Sequence, residues 1–409
     1  MQISRRIWIL ASCPLALLAL AGGTASAADS DPARVRVSAA LLDEMVQGLL
    51  PSMIRLPPPV GEPAADNRPT LASLTEIKYC GAGEKGAGRL RAVLRLDGTA
   101  SGPSVLTLGK FGCQGGLADV AKRFAEGTED AIAVADIEAT WKPWEVRLVV
   151  VRAEGTTKVA KARLAAVLEK RREFLVVPTG DTRIQTESGP LALYAVPSFL
   201  PGAVEIAVVL GATGAPSSPV KLASNGRGLA LTGEANIAAE VPLSFANQLL
   251  RRLTWNQALT IPVNRDEVEL RKVSISGEGA DEGARVTLAG NATPASLGET
   301  MRWTVATGGD PMRISSVQLV AKMEDCSGLA TLAAVGCTVR NGARGAAAEA
   351  FASSLTQRYQ GLPIHELSSP QTLRFNVAGE PFALSGDLLR MTFGPRGISV
   401  VGNMSSPRP

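Results

Sequence analysis

The chain has 409 residues, 45% of them hydrophobic, with 42 Lys and Arg against 38 Asp and Glu. A balance this close to neutral gives no electrostatic basis for nucleic-acid binding, and with aromatic residues at only 4% the core must be aliphatic. The single histidine, His365, leaves little room for histidine-dependent catalysis or metal binding.

Residues 1–27 read as an export signal. Arg5 and Arg6 form a positive start, an apolar run follows, and Ala25-Ser26-Ala27 supplies the small residues of a cleavage site after Ala27. The paired arginines also partly resemble a twin-arginine signal, and Leu10-Ala11-Ser12-Cys13 partly resembles a lipobox. The apolar run before Cys13 is too short to favour lipidation. Removing Arg5 and Arg6 lowers the formal charge from +4 to +2. The remaining length, about 380 residues, implies two or three modules in an oxidising, periplasmic compartment.

Four cysteines lie beyond the leader, at Cys80, Cys113, Cys326 and Cys337. An even number in an exported chain implies disulfides, although four cysteines allow three connectivities. The local pairs Cys80–Cys113 and Cys326–Cys337 are favoured over free buried thiols. There is no CxxC, so no metal site and no cofactor is expected.

In chain order, Val35 and Val37 alternate as a strand, and Ser38 precedes a helix whose apolar stripe is Leu41, Leu42, Met45, Val46, Leu49 and Leu50. Pro51 ends it, and residues 55–69 read as a linker. Strands are expected at 71–80, 89–97 and 145–153, with a short helix at 117–124. Residues 158–174 carry Val159, Leu164, Val167 and Leu168 among basic residues. They read as a solvated surface helix or as a basic amphipathic segment against anionic headgroups. Further strands are expected at 191–196, 204–210, 220–223 and 228–231, with a joint at 211–219.

Residues 240–263 repeat the opening grammar. Val241 and Leu243 alternate around Pro242 as an edge strand or strand start, Ser244 is placed to cap a helix, and Phe245, Leu249, Leu250 and Leu253 make its apolar face. Strands follow at 268–276, 285–289, 301–306 and 314–323. Cys326 and Cys337 flank a small-residue segment, a helix runs over 344–359, and strands at 373–377, 388–393 and 398–401 close the chain. The tail 405–409 is expected to be disordered.

No GxSxG, HExxH or phosphate-binding glycine loop occurs. His365, in Leu362-Pro363-Ile364-His365-Glu366-Leu367, has no marked nucleophile near it in sequence and reads as a surface or interfacial residue. The expectation is a protein that is not an enzyme. A carboxylate-based site, with pairs such as Asp266-Glu267 or Glu324-Asp325, is the third-ranked alternative.

The stretches VRVSAALLDEMVQGLL, VPLSFANQLLRRL, GAAAEAFASSLTQRYQGLPIHEL and LLRMTFGPRGISVVG together resemble the tubular lipid-binding superfamily, including its bacterial periplasmic relatives. The resemblance is one of layout, over about two-thirds of the chain beyond the leader, and residues 178–218 depart from it. It implies an α+β fold of long antiparallel sheets wrapped around amphipathic helices, in two pseudo-repeated modules at 28–215 and 216–404. It further implies a lipid-like or other apolar ligand. Amphipathic helices beside long antiparallel sheets can enclose an apolar cleft, which Leu41, Leu42, Met45, Leu49, Phe245, Leu249, Leu250 and Leu253 would line or plug, and the basic segment at 158–174 offers peripheral membrane contact. The rival expectation is a non-catalytic envelope structural or assembly factor whose helices merely fill their sheets.

Overall fold

The computed structural model describes residues 31–49, 53–56, 70–95, 112–125, 132–142, 145–156, 173–178, 183–186, 189–211, 229–231, 233–254, 259–263, 266–278, 285–295, 300–327, 329–368, 371–377, 380–394 and 397–405. The expected signal segment, the strand at 220–223, the joint at 211–219 beyond Gly211, and residues 158–172 lie outside them. In the described residues antiparallel sheet predominates and helices are few, an α+β architecture.

Strand β1 (Ala33–Ser38) buries every second residue and leads into helix α1 (Ala39–Leu49). The Ser38 hydroxyl accepts the Leu41 N–H at 3.2 Å, satisfying one of the donors a helix start leaves open. A six-stranded meander follows. It comprises β2 (Met53–Leu56), β3 (Thr70–Ala82), β4 (Gly88–Arg95), β5 (Ile132–Lys142), β6 (Glu145–Gly155) and β7 (Glu173–Pro178), paired in chain order. Helix α2 (Leu117–Ala125) interrupts it between β4 and β5. Strands β8 (Arg183–Thr186), β9 (Gly189–Leu200) and β10 (Ala203–Gly211) then return, and β10 pairs with β1.

The next stretch takes the same route. Strand β11 (Ile237–Val241) leads into helix α3 (Leu243–Thr254). Strands β12 (Leu259–Val263), β13 (Asp266–Glu278), β14 (Arg285–Pro294), β15 (Met301–Gly308) and β16 (Arg313–Ala321) form a five-stranded meander. Helices α4 (Thr331–Tyr359) and α5 (Ile364–Ser368) come next. Strands β17 (Gln371–Val377), β18 (Glu380–Gly394) and β19 (Gly397–Ser405) finish, and β19 pairs with β11.

Because β1 also pairs with β11, the two returning groups join one eight-stranded sheet, ordered β17-β18-β19-β11-β1-β10-β9-β8. Its inner face, through Val35, Val37, Ile237, Ala239 and Val400, meets α1, α3 and the five-stranded sheet in the main core. The six-stranded sheet has its own core through Ile77, Leu90 and Ile137, capped by Phe199 and Leu42. On its other face α2 packs Leu117 and Val120 against Val93 and Val134. There Arg91, 7% exposed, holds Asp136 through Nε at 2.7 Å and Nη2 at 3.3 Å.

Several local expectations are corrected. Strand β11 is central and wholly buried, so Pro242 is not in an edge strand. It stands at the strand-to-helix junction, its carbonyl accepting the Ala246 N–H at 3.0 Å. Proline's missing N–H costs nothing there, and Ser244 falls inside the helix rather than at its cap. Residues 229–231 form no strand, although Leu229 is buried. Arg55 and Leu56, read as linker, belong to β2, and Glu173 and Phe174, read as helix, open β7. The helix expected at 344–359 starts at Thr331, so Cys337 is helical. Ser405 is ordered as the last residue of β19, its hydroxyl donating to the Ser385 carbonyl at 3.2 Å.

Candidate functional site

The expected lining residues are distributed unevenly. Leu41, Phe245, Leu249 and Leu250 are at most 1% exposed and belong to the main core, and Leu42 and Met45 are half-buried against it. Leu49 and Leu253 lie in the same two helices, their side chains outside the described residues. The structure therefore brings the described members of both stripes into one apolar core under the central sheet. Both helices are clipped to a bulged strand by their fifth residue. The Asp43 carboxylate accepts the Tyr79 N–H at 2.5 Å. Asn247 accepts the Ile275 N–H at 2.8 Å and donates to its carbonyl at 2.6 Å.

Among the described residues an open groove lies elsewhere, between β16 and α4. Strand β16 is an edge of the five-stranded sheet, and an uncovered edge leaves backbone groups unpaired. Helix α4 runs antiparallel along it and supplies side chains where a further strand would stand. The Thr356 hydroxyl accepts the Val317 N–H at 3.3 Å and donates to its carbonyl at 3.2 Å. Gln360 donates to the Ser315 carbonyl at 3.3 Å. Further along, Ala348 packs on Met301, Ala321 and Leu319.

Between these attachments lies a groove of about 810 Å³, open to solvent. Val317 and Leu319 line it from the strand, and Gly345, Ala348 and Ala352 from the helix. The small helix residues leave the space; Gln318, Glu349 and Gln357 add polar groups. Val320 and Met323, 59% and 51% exposed, extend the apolar surface at one end.

Both cysteine pairs expected from the sequence are joined, Cys80–Cys113 and Cys326–Cys337, which fits an exported or otherwise oxidising compartment. The second ties α4 to the irregular segment that follows β16. Beside it Glu324 accepts from Arg344 at 2.8 Å and Arg340 at 3.5 Å, and the Arg344 hydrogen bond holds its carboxyl below the usual range. The chain is also locked there by Asn341, which accepts the Glu324 N–H and donates to the Glu324 carbonyl, both at 2.9 Å.

His365 lies in α5, half-buried. Burial first, and then nearby Arg313, lower its pKa, while Glu366 raises it. Among the described residues no cluster of three or more His, Cys, Asp and Glu comes together to hold a metal ion. Likewise no described helix is long and apolar enough to cross a membrane.

Sequence reasoning missed the groove. Gly345, Ala348 and Ala352 are small and carry no apolar signal, and their partners on β16 are some thirty residues away in the chain. One signal was present: Leu332, Val335 and Val339 recur at helical spacing upstream of the expected helix.

No protein-family model matches the chain, and no curated protein matches it in sequence. Among solved structures it is similar to P47 of Clostridium botulinum E1, with 8% identity, a TM-score of 0.31, and 92% of this chain and 99% of that one covered. P47 from Clostridium botulinum A2 overlays with 10% identity and a TM-score of 0.28, over 91% and 97% of the two chains. A lipopolysaccharide binding protein overlays with 8% identity and a TM-score of 0.25, over 92% and 100%. Scores of this size carry no argument about a shared fold or ligand.

Proposed function

We propose that the chain is an exported, periplasmic protein that binds or shuttles a lipid-like apolar molecule without chemical turnover. The groove between α4 and β16 is its binding surface. The observation that carries this reading is the groove itself: about 810 Å³, floored by apolar side chains and open at the surface. Small-molecule sites typically occupy ~300–1,000 Å³. Binding would be driven by removing acyl surface from water, at about 25 cal/mol per Å², with the polar end left toward Gln318, Glu349 and Gln357.

Two pseudo-repeated modules, meeting at β1 and β11, belong to the same proposal. It is supported by the matching order of strand, helix, meander and returning strands, and by the paired clips at Asp43 and Asn247. A further parallel supports it. A Cβ at Gly88 would run into the Phe199 ring, and one at Gly277 into the Phe393 ring. In each half, a returning strand presses a phenylalanine onto a glycine of the meander.

The test uses a fluorescent fatty acid and the variant Val320→Asp, which puts a charge at an exposed groove position. The expected result is saturable binding that the variant weakens about tenfold or more at unchanged melting temperature. Saturable binding indifferent to Val320→Asp would move the ligand to the helix stripes in the core. No binding at all favours the second reading, a non-catalytic envelope assembly factor. The packed stripes of α1 and α3 already give that reading its support.

A further inference from the structure

The first turns of α4 are the most exposed apolar part of the described chain. Leu332 is 89% exposed, Val339 66% and Val335 57%; Leu329, just before the helix, is 46% exposed. The three helix residues stand at i, i+3 and i+7, within one stripe. Cys337, Asn341, Arg344 and Ala348 occupy the opposite side and face the protein. Ala348 lies level with Ala321, the end of β16. Thr331 is 17 residues before it, so the helix projects about 25 Å past the sheet. Over residues 331–336 no position is buried, on any side.

The projection is braced. The Cys326–Cys337 disulfide and the Asn341 bonds to Glu324 hold the preceding segment along it. A braced projection loses little conformational entropy when it docks.

Its charge is one-sided. From residue 331 to residue 348 the ionisable side chains that carry charge are Arg340 and Arg344, with no acid. At the base Lys322 is exposed, and Glu324, Asp325 and Glu349 are the acids there. The helix from 331 to 348 thus carries two cations and no carboxylate of its own, and Glu324 reaches both arginines. Arg340 follows Leu332 by eight residues, about 12 Å along the helix. Interfacial helices bury their apolar face about 5–10 Å into the headgroup and acyl boundary. A helix tip at that depth places Arg340 among the phosphates.

We infer that the N-terminal part of α4 is a membrane-docking finger, which seats Leu329, Leu332, Val335 and Val339 in the outer layer of an anionic phospholipid bilayer. A convex tip exposed all round would need a matching cleft in a protein partner. A bilayer accommodates it without one. The groove begins where the finger ends, at Met323 and Gly345. The inference stands whether or not the groove holds a ligand.

The test is co-sedimentation of the full mature protein with vesicles of mixed phosphatidylglycerol and phosphatidylcholine, against vesicles of phosphatidylcholine alone. Expected is binding to the anionic vesicles that weakens with salt and falls about a hundredfold in the double variant Leu332→Asp, Val335→Asp. These side chains are exposed, so the melting temperature stays unchanged. In Leu332→Trp, fluorescence emission should shift to the blue on adding vesicles and be quenched by bromine-labelled acyl chains. Failure to bind either vesicle overturns the inference. So does equal binding by the double variant, or a concentration-dependent dimer in wild type that the double variant abolishes. The last result would assign the stripe to a second copy of the chain.

Discussion

The two stretches β1 to β10 and β11 to β19 share an order of elements, strand, helix, antiparallel meander and returning strands, but differ after their meanders. In the first stretch only residues 179–182 separate β7 from β8. In the second, β16 is followed by α4, 29 residues long, before the chain returns through β17. That insertion brings the groove, the exposed Leu-Val stripe and a second disulfide. Elements common to both stretches, α1 and α3 with their stripes, are packed into the core, and so is α2, which only the first contains; α4, which only the second contains, presents apolar surface to solvent.

The sharpest way to break this contrast is to put a charge on each kind of stripe. Leu249→Asp should cost more than about 4 kcal/mol, because a Leu-to-Ala change in a core already costs ~2–5 and a buried carboxylate adds to it. Leu332→Asp should move stability by less than about 0.5 kcal/mol, the usual range for an exposed site. Equal melting temperatures for the two variants in differential scanning calorimetry would show that α3 is not core.

The disulfides sharpen the same comparison at a smaller scale. Cys80–Cys113 spans 33 residues and Cys326–Cys337 spans 11. Loop closure then assigns about 4 and about 3 kcal/mol respectively to the two bridges. Replacing each pair by Ser should lower the melting temperature, the first pair more. The second should also speed proteolysis within the first turns of α4. A free-thiol titration that finds all four cysteines reduced in the native protein would contradict both.

The smallest effects come from single titrating groups. Burial pushes the Tyr79 hydroxyl up to about 12, while it donates toward the Leu200 and Ala203 carbonyls at 2.9 and 3.2 Å. Its folded value exceeds its unfolded value near 10, so its contribution is full below pH ~10 and is lost as pH rises through the folded value. Tyr79→Phe should cost about 1 kcal/mol at neutral pH and flatten the alkaline slope of chemical denaturation. His365 behaves in the opposite sense. Its pKa lies below the ordinary 6.5, so stability falls as pH drops below that value. A His365→Gln variant should lose that acid dependence, and an unchanged acid slope would assign it to other groups.

What the sequence made legible was local. The stripes of α1 and α3, the favoured local cysteine pairs and most strands were readable from spacing. The rest depends on what lies opposite. That Val35 is next to Ala239 and Ile206, across two chain halves, is a matter of sheet order. An apolar stripe says that a face wants cover, not whether it has found any. Phe245 and Leu249 found it, while Leu332 and Val335 did not. The groove was illegible because space left by Gly345, Ala348 and Ala352 has no residue to announce it. Pro242 misled for a related reason: its missing donor suits an edge strand and a helix junction equally.

The central claim is that this protein carries a lipid-like molecule. The most direct measurement is native mass spectrometry, with organic extraction, of the protein purified from its own host cells. The account expects a stoichiometric apolar adduct, recovered by extraction and depleted in Val320→Asp. A clean apo mass, persisting after incubation with total membrane lipids, would contradict it and leave the envelope-assembly reading standing.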